Sequence, residues 1–380
     1  MKVVDLFSGC GGFGLGAKLA GFEVCTSIDI DPQLQSAYRL NFPTTKAVTG
    51  DLSLMDEASW KLLIGHDEVD GVIGGPPCQG YSRIGKQNPD DPRRSLIFHF
   101  FRCVNILKPK FFVMENVEGL LDPGSITELH AALSTVDNRY HVLDPITADA
   151  SHFGAPTKRK RVLIVGYNPC EMERIDANTL IPTMANVNSV SDAIRDLPSP
   201  IKQPKDKTNF GWAQYSFSEN DDLSPYARIM RGLPDSRSLG WTNAKEQLKA
   251  GFTSGHFETR HTAQVINRFS QLKPGQIDKT SKAKRLDWDG VCPTLRAGTG
   301  SDKGSFQSVR PIHPEEPRVI TVREAARLQG FPDWFTFHPT KWHSFRMIGN
   351  SVSPLLSESI LSTIGRSLDL QSEIDTANIS

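Results

Sequence analysis

The stretch Asp5-Leu6-Phe7-Ser8-Gly9-Cys10-Gly11-Gly12-Phe13-Gly14 decides the fold of this 380-residue chain. It starts at the end of an apolar segment that predicts a β-strand and leads into a segment that predicts a helix. Glycines between a strand and a helix allow the backbone to approach a ligand closely. The stretch therefore predicts the first βα unit of an α/β fold, with a nucleotide-like cofactor bound at the turn.

Strand-like and helix-like segments alternate through the first part of the chain. Strands are predicted at residues 2–7, 22–28, 69–73, 111–115 and 161–166, and helices at residues 12–20, 32–41 and 95–107. This alternation implies a Rossmann-like α/β fold, in which a largely parallel sheet carries helices on both faces. From about residue 170 the chain is rich in Pro, Asn, Ser and Gly and predicts a loop-rich second module. A helix is predicted again at residues 321–328, where Thr321 and Glu324 form a capping-box pattern.

The composition is that of an ordinary soluble globular protein. Hydrophobic residues make up 38% of the chain and charged residues 23%, which excludes a largely disordered protein. No segment resembles a signal peptide or approaches the ~20 apolar residues of a membrane span, so we expect a cytoplasmic protein. The six cysteines show no close pair spacing, and the sequence predicts neither disulfides nor a metal site.

The charge balance excludes a strong overall attraction to nucleic acid or anionic lipid. Lysine plus arginine equals aspartate plus glutamate at 43 each, so there is no global basic field. Any contact with nucleic acid must therefore be local. The basic patches are residues 157–161, the segment containing Lys202, Lys205 and Lys207, and residues 279–285, of which the last two are equally typical of solvated surface.

Cys78 is the strongest candidate for a chemically active residue. It stands in Gly74-Gly75-Pro76-Pro77-Cys78-Gln79-Gly80, directly after a short apolar segment that predicts a strand. Two consecutive prolines stiffen such a turn, and the carboxyl end of a strand is where open α/β sheets keep their chemistry. This context favours a presented nucleophile over a buried structural thiol.

Two cofactor classes fit the glycine-rich turn. Gly9, Gly11 and Gly14 satisfy the dinucleotide fingerprint, and Asp29 ends the next predicted strand, where an acidic residue binds ribose hydroxyls. A hydride-transfer enzyme, however, has no need of a nucleophilic cysteine. A further acidic strand end at Asp51 could accept from an adenine amino group, so the residues favour S-adenosylmethionine over a nicotinamide or flavin.

The order of motifs along the chain resembles that of the cytosine-C5 DNA methyltransferases. The matching blocks are 5–12 (Asp-Leu-Phe-Ser-Gly-Cys-Gly-Gly), 76–79 (Pro-Pro-Cys-Gln), 115–117 (Glu-Asn-Val), Arg159-Lys160-Arg161, 318–332 and 349–352 (Gly-Asn-Ser-Val). Two departures concern Thr157, where the family usually has Gln, and Ile30, where many members have an aromatic residue. The middle of the chain, about 175 to 310, lacks strong matches apart from Thr294-Leu295, which resembles a Thr-Leu pair of the family.

The resemblance implies a discontinuous catalytic domain, formed by residues 1–172 and 317–380, with a target-recognition domain at residues 173–316. It implies catalytic roles for Cys78, Glu115, Arg159 and Arg161. The cofactor, S-adenosylmethionine with S-adenosylhomocysteine as its product, would contact Phe7, Ser8, Gly9, Cys10, Gly11, Gly12, Asp29, Ile30, Asp51, Leu52, Pro76, Asn350, Ser351 and Val352. Duplex DNA would contact Gln79, Ser82, Arg83, Thr294, Leu295 and Arg296.

The chemistry implied by the resemblance begins with the Cys78 thiolate, which adds to C6 of cytosine and activates C5. Glu115 would donate a proton or hydrogen bond at N3, and Arg161 would hold O2. For Arg159 a structural or phosphate contact is as consistent with the sequence as a catalytic one. Because C6 is inaccessible in stacked DNA, the cytosine must be flipped out, and the segment 81–94 is expected to close over it.

Three alternatives remain open at this stage: an RNA cytosine-C5 methyltransferase, an inactive relative that binds DNA or S-adenosylmethionine as a regulator, and a dinucleotide oxidoreductase. The length of the middle segment favours duplex DNA over RNA. The resemblance further implies a monomer that protects DNA from a separate restriction endonuclease, in a prokaryote or a phage.

Overall fold

A computed structural model of the protein describes residues 1–65, 68–77, 95–182, 187–206, 208–215, 223–297 and 310–379, with side chains described as far as residue 369. Its centre is an eight-stranded sheet with the order β3-β2-β1-β4-β5-β8-β6, and β7 also pairs with β8. The strands are β1 Lys2–Leu6, β2 Glu23–Asp29, β3 Lys46–Thr49, β4 Gly71–Gly74, β5 Phe111–Asn116, β6 His141–Val142, β7 Ile146–Asp149 and β8 Lys160–Tyr167. The pairs among β1 to β5 are parallel, and β8 pairs antiparallel with β5, β6 and β7.

Helices cover both faces of the sheet and make up much of the second half of the chain. They are α1 Gly12–Leu19, α2 Pro32–Asn41, α3 Glu57–Ile64, α4 Leu96–Leu107, α5 Pro123–Leu133, α6 Val190–Ile194, α7 Pro225–Arg231, α8 Thr242–Lys249, α9 Ala263–Ser270, α10 Val322–Gln329, α11 Lys341–Asn350 and α12 Pro354–Ile379. Two short strands, β9 Ala213–Gln214 and β10 Phe252–Thr253, form a separate antiparallel pair. None of the helices described here is long and apolar enough to cross a bilayer.

The strand order places the predicted site at one edge of the sheet. β1 lies between β2 and β4, and Leu6 is in register with Gly74, so the chain leaves both strands side by side at their carboxyl ends. Ligands of open α/β sheets bind where the strand order reverses in this way. The glycine-rich turn after β1 and the Gly75-Pro76-Pro77 turn after β4 therefore meet at the same crevice.

The predicted α/β class with a mostly parallel sheet is confirmed, and the strands and helices predicted from periodicity lie within two residues of those observed. The capping box at Thr321 is present: its hydroxyl accepts from the Glu324 amide, and the Glu324 carboxylate accepts from the Thr321 amide at 2.6 Å. Strands β3, β6 and β7 were not predicted. They are short and weakly patterned, so alternation gives little signal for them.

The middle segment contains the short helices α6 to α9 and shares its core with α10 and α11. One hydrophobic cluster combines Val190, Tyr226 and Leu248 of the middle segment with Leu328 of α10 and Ile348 of α11. The predicted boundary near residue 317 therefore crosses a common core. The division into residues 1–172 plus 317–380 and residues 173–316 stays a prediction.

Helix α12 packs directly against α1, which brings residues from the two ends of the chain together. A Cβ built on Gly12 would lie 1.9 Å from Ser351 Oγ, and one built on Gly16 would lie 1.8 Å from Ser357 Oγ and 2.5 Å from the Glu358 amide nitrogen. The backbones approach closely because α1 carries glycine at both contacts. These glycines are needed for packing between helices as well as for the turn.

We expect Gly16→Ala to destabilise the protein by about 1–3 kcal/mol, because the methyl group would overlap backbone atoms of α12 that cannot move independently. The measurement is the free energy of unfolding in urea. Gly124→Ala is the matched control: Gly124 is also helical, and a Cβ there meets nothing within 4 Å. We expect that control to be neutral or slightly stabilising, and equal effects at both positions would contradict the packing argument.

Candidate active site

A buried ion pair lies at the carboxyl edge of the sheet. Glu115 is near the end of β5 and Arg161 near the start of β8, and Arg161 Nε lies 2.7 Å from Glu115 Oε1. Both side chains are largely removed from solvent, so the interaction is little screened by water. The sequence named both residues as catalytic, and the antiparallel pairing of β5 with β8 brings them together.

The turn after β4 lies against this ion pair. A Cβ on Gly75 would be only 3.1 Å from Glu115 Oε2, so glycine there lets the turn run close to the carboxylate. Asn116 donates from Nδ2 to the Pro76 carbonyl at 3.3 Å and thereby ties the turn to β5. The described part of the turn ends at Pro77. Cys78, Gln79, Ser82, Arg83 and the segment 81–94 lie outside the described residues.

The other cysteines offer no competing nucleophile at this edge of the sheet. Burial raises the pKa of the Cys10 and Cys292 thiols to about 12 and that of Cys103 to about 11. Burial also raises the pKa of Cys25, and Cys170 is exposed far along the chain. Since the thiolate is the reactive form, the three fully buried thiols are inert at neutral pH.

Arg159 is fully buried and holds two distant segments together. Its guanidinium donates to the Leu295 carbonyl at 3.1 Å and to the Gly349 carbonyl at 2.9 Å. Of the two readings left open by the sequence, this geometry supports the structural one. Arg159 fixes the 294–296 segment and the end of α11 beside β8, and we treat it as a positioning residue.

The segment with the Thr-Leu pair is bound along the beginning of β8. Thr294 donates its hydroxyl to the Lys158 carbonyl at 2.6 Å, and the neighbouring Cys292 pairs with Pro156 and Lys158 through its backbone. Thr294 and Arg296 are exposed, whereas the Leu295 side chain is buried in the shared core. The Leu295 side chain packs against other apolar residues of that core, and the DNA contact of Leu295 stays a prediction.

The glycine-rich turn after β1 is built from left-handed backbone conformations. The φ angles of Phe7, Gly9 and Gly11 are 53°, 57° and 99°. A Cβ on Gly9 would meet nothing within 4 Å, whereas one on Gly11 would overlap the Phe42 ring. The turn thus leaves open space beside Gly9, while Gly11 packs against Phe42 at the end of α2 and Gly12 against Ser351 and Val352 just before α12.

The end of β2 is fastened to this turn by Asp29. Its two carboxylate oxygens accept from the Gly9 amide at 2.9 Å and from the Asp31 amide at 2.8 Å, and burial raises its pKa. An ionised carboxylate has further lone pairs for hydroxyl donors. Ile30, directly beside it, is 66% exposed and offers an apolar surface at the rim of the crevice.

Asp51 is held at the end of β3 by a short 3-10 turn. Its carboxylate accepts from the Ser53 amide at 2.9 Å, and the hydrogen bonds from Ser53 lower its pKa. Arg102 on α4 supports the turn by donating to the Leu52 carbonyl at 2.6 Å and to the Met55 carbonyl. Leu52 itself is buried, and its contact with a cofactor stays a prediction.

The last matching block lies against the glycine-rich turn from the other side. Asn350 is exposed at the end of α11, and Ser351 and Val352 are buried where Gly12 begins α1. Cys10 points its thiol toward the Met347 carbonyl at 3.8 Å. The predicted cofactor residues of both ends of the chain are thus brought together, although Cys10 and Val352 face the protein interior.

The residues around this crevice fit an adenosine-containing cofactor. Gly9 leaves space beside the turn, and the backbone of the turn can approach a ligand closely. Asp29 can accept from ribose hydroxyls, Asp51 from an adenine amino group, and the exposed side chain of Ile30 can cover an adenine face. These are the acceptors and apolar contacts that S-adenosylmethionine would need.

Two supporting interactions were not predicted from the sequence. Asp31, the N-cap of α2, pairs with Arg346 of α11 at 2.6 Å, and buried Gln35 donates to the Ser8 hydroxyl at 2.8 Å. Gln35 is a polar residue on the buried face of α2, and this pattern could have identified it from the sequence. Nothing in the local sequence links Asp31 to a residue more than 300 positions away.

Among the side chains that the structure describes, no three His, Cys, Asp or Glu come together in a group that could hold a metal ion. The prediction that the protein needs no metal is not tested by this finding.

The chain is similar to known proteins over nearly its whole length. The family model for C-5 cytosine-specific DNA methylase matches residues 1–366. The type II methyltransferase M.XorII of Xanthomonas oryzae is 39% identical over 96% of this chain and 84% of that protein, and M.DdeI of Desulfomicrobium norvegicum is 30% identical over 100% of this chain and 92% of that protein. A crystal structure of an Escherichia coli prophage protein, provisionally assigned as a DNA modification methyltransferase, superimposes with a TM-score of 0.84 at 40% identity, covering 97% of this chain and 99% of that one.

Proposed function

This chain belongs to the C-5 cytosine-specific DNA methylase family, and on that premise we propose that it methylates C5 of a cytosine flipped out of duplex DNA, through a covalent bond between Cys78 and C6. Enzymes of this family use S-adenosylmethionine, which supplies the methyl group when bound. The observation that carries the proposal is the Glu115–Arg161 ion pair, held against the turn that leads into Cys78.

The proposed reaction begins with attack of the Cys78 thiolate on C6. The electrons of the C5–C6 double bond shift through C5 and C4 toward N3, and negative charge develops at N3 and O2. The Glu115 carboxyl group would provide a proton or hydrogen bond at N3, and the Arg161 guanidinium would donate to O2. Their 2.7 Å contact keeps the two donors adjacent, which suits two neighbouring acceptors on one pyrimidine edge.

The second half of the reaction restores the aromatic ring. C5, now nucleophilic, would take the methyl group as the S–CH3 bond of the donor breaks and S-adenosylhomocysteine leaves, and C5 would then lose its proton to a base. The electrons of that C–H bond reform the C5–C6 double bond and expel the Cys78 thiolate, and Glu115 recovers its proton from N3. Atoms and electrons balance over the cycle, and the enzyme returns to its starting state.

The proposed step requires the cytosine to leave the helix, at a cost of a few kcal/mol of unstacking. We propose that Gln79, Ser82 and Arg83 occupy or brace the vacated position and that Thr294 and Arg296 contact the DNA strand. The exposed positions of Thr294 and Arg296, directly beside β8, support the second assignment.

We further propose that the enzyme is of the type II restriction-modification kind, a cytoplasmic monomer that protects DNA against a separate endonuclease. The names of its similar relatives, both type II methyltransferases of bacteria, support this role.

The test is to incubate the purified protein with methyl-labelled S-adenosylmethionine and either duplex DNA or total RNA, and to identify the labelled nucleoside after digestion. We expect labelled 5-methyldeoxycytidine from DNA. Label found only in RNA would mean that the substrate is RNA and not DNA. The absence of label in both would contradict the proposed catalysis and favour a regulator that only binds DNA or S-adenosylmethionine.

A further inference from the structure

Three cationic side chains and a histidine meet beside the first turns of α11. Lys341 begins the helix, and Arg310 stacks over the ring of Phe345 one turn further along, with its Cζ 3.9 Å from the ring centroid. Arg260 and His261 approach from the middle segment, where the Lys341 ammonium donates to the carbonyl of Glu258. We call Arg310, Lys341, Arg260 and His261 the α11 cation cluster.

The α11 cation cluster is short of negative charge within the described residues. Among the described residues no carboxylate acts on the ionisation of Arg310, and its Nε has no hydrogen-bond partner. The Glu258 carboxylate lies 3.9 Å from Arg260 Nε. By contrast, the neighbouring Arg318 is paired with both Glu316 and Glu324.

Burial and, to a smaller extent, neighbouring positive charge both lower the pKa values within the cluster. Burial lowers the pKa of Arg310 to about 10. The pKa of Lys341 is lowered mainly by burial and next by the positive charge of Arg310. The pKa of His261 is lowered mainly by burial and next by the charges of Lys341 and Arg310. A half-buried group of like charges is costly unless an anion accompanies it. Among the described residues the cluster therefore lacks sufficient counter-charge, which a bound anion would supply.

The position of the cluster suggests which anion that is. The far end of α11 touches the segment beside the candidate active site, since a Cβ on Gly349 would lie 2.3 Å from the Ala297 amide nitrogen. Lys341 and Gly349 are eight residues apart on one helix, which corresponds to about 12 Å. A nucleic-acid strand advances about 3.4 Å per nucleotide, so this distance spans roughly three to four nucleotides.

We propose that the α11 cation cluster binds a backbone phosphate of the DNA strand, a few nucleotides from the target cytosine. The proposal rests on the proposed DNA substrate but names a surface that the motif-bearing residues do not include. A guanidinium stacked on an aromatic ring presents its edge in a fixed direction, which suits the oxygens of a phosphate. Such a contact positions the duplex and carries no sequence information.

The experiment measures the dissociation constant for duplex DNA as a function of salt, by fluorescence anisotropy and without turnover. Arg310→Gln and Lys341→Gln are compared with the unaltered protein, and Lys61→Gln, on the exposed side of α3, serves as the control of equal charge change. Losing one phosphate contact makes the slope of log K against log salt less steep by about 0.9. The factor by which DNA affinity falls between 50 and 200 mM salt should therefore be roughly 3-fold smaller than in the unaltered protein. We expect this change in both cluster variants and none in Lys61→Gln.

Two further variants keep the proposal falsifiable. Arg310→Lys retains the charge but not the stacked plane, and we expect it to keep the wild-type salt slope even if it folds less stably. Asp302 is the acidic residue of the segment 298–309, which directly precedes Arg310 and lies outside the described residues. If Asp302→Asn lowered stability while Arg310→Gln left the salt slope unchanged, the counter-ion would be internal and the proposal would be overturned.

These outcomes are distinguishable from a failure of the proposed function. Methyl transfer to DNA by the unaltered protein is established first, by the labelled-nucleoside test. An active enzyme whose cluster variants bind DNA with an unchanged salt slope contradicts the phosphate site alone. Unchanged binding of S-adenosylmethionine by both cluster variants shows that the crevice is intact.

Discussion

Replacing Cys78 with serine is expected to lower methyl transfer to cytosine by roughly 10⁴-fold or more, because the hydroxyl is a far weaker nucleophile than a thiolate. The measurement is single-turnover transfer of labelled methyl groups to duplex DNA at saturating enzyme. Binding of DNA and of S-adenosylmethionine should remain within a few-fold of the unaltered protein. Cys170→Ser is the matched control, because Cys170 is exposed and outside the crevice, and it should retain full activity.

The covalent bond itself can be detected with DNA that carries 5-fluorocytosine at the target position. Release of Cys78 requires loss of a proton from C5, and fluorine cannot leave as a proton does. We expect a stable protein–DNA adduct in the presence of S-adenosylmethionine, located at Cys78 by peptide mass spectrometry. Adduct formation by Cys78→Ser, or methyl transfer by that variant at the normal rate, would exclude the proposed mechanism.

Replacing Arg327 with methionine is expected to destabilise the protein by about 3–5 kcal/mol, the cost of removing one partner from a buried ion-pair network. Arg327 has no exposed surface, and its guanidinium donates to Asp333 at 2.7 and 2.6 Å and to Asp196 at 3.0 and 3.1 Å. Asp333 is equally buried. The measurement is urea unfolding at pH 7, with Arg139→Met as the control, since the exposed pair of Arg139 with Asp137 should contribute less than about 1 kcal/mol.

The pH dependence separates this electrostatic cost from a simple loss of packing. In the unaltered protein Arg327 lowers the pKa of Asp333 despite burial, so the pair stabilises the fold above the ordinary aspartate pKa, and that stability is lost as the pH falls through the lowered value. In Arg327→Met, Arg323 and the Tyr215 hydroxyl still oppose the effect of burial, but the largest of the lowering contributions is lost, so the pKa of Asp333 rises. The difference in stability between the two proteins should therefore shrink from pH 7 toward pH 4. A difference in the free energy of unfolding that is constant with pH would mean that lost packing, and not lost charge, causes the destabilisation.

Much of the fold could be predicted because local signals agreed with the final structure. The glycines after the first apolar segment indicated a strand, a turn and a helix, and β1, the turn and α1 are found there. Thr321 and Glu324 are separated by the spacing of a capping box, and the box is formed. Such signals involve residues close in sequence, so they survive whatever tertiary structure surrounds them.

The role of each glycine in the turn could not be predicted, because it depends on distant residues. Gly9 borders open space, whereas Gly12 is in contact with Ser351, and nothing near either residue distinguishes them. Leu295 was assigned to DNA by its place in a motif, yet its side chain is in the core. Motif position identifies which segment lies at the site, but the direction of each side chain is set by packing.

Helix α10 illustrates a second limit. Its alternation of charged and apolar residues is typical of a helix with one solvated face, but all eight of its residues are buried. Arg323 is satisfied by the carbonyls of Ser254, Pro332 and Phe335, and Arg327 by its carboxylate partners. The partners of Arg323 and Arg327 come from three separate segments of the chain. The sequence of α10 alone therefore does not show that its charged side chains are buried.

The contact between Gly12 and Ser351 has a consequence for synthesis of the chain on the ribosome. Ser351 and the start of α12, which complete one side of the crevice, emerge more than 330 residues after the glycine-rich turn. At about 5–20 residues per second this interval lasts roughly 17–70 s. Throughout that time α1 has no α12 to cover it, and its apolar surface is available to chaperones. The nascent protein is therefore expected to acquire its affinity for the methyl donor in one late step, after Ser351 and the start of α12 have been synthesised.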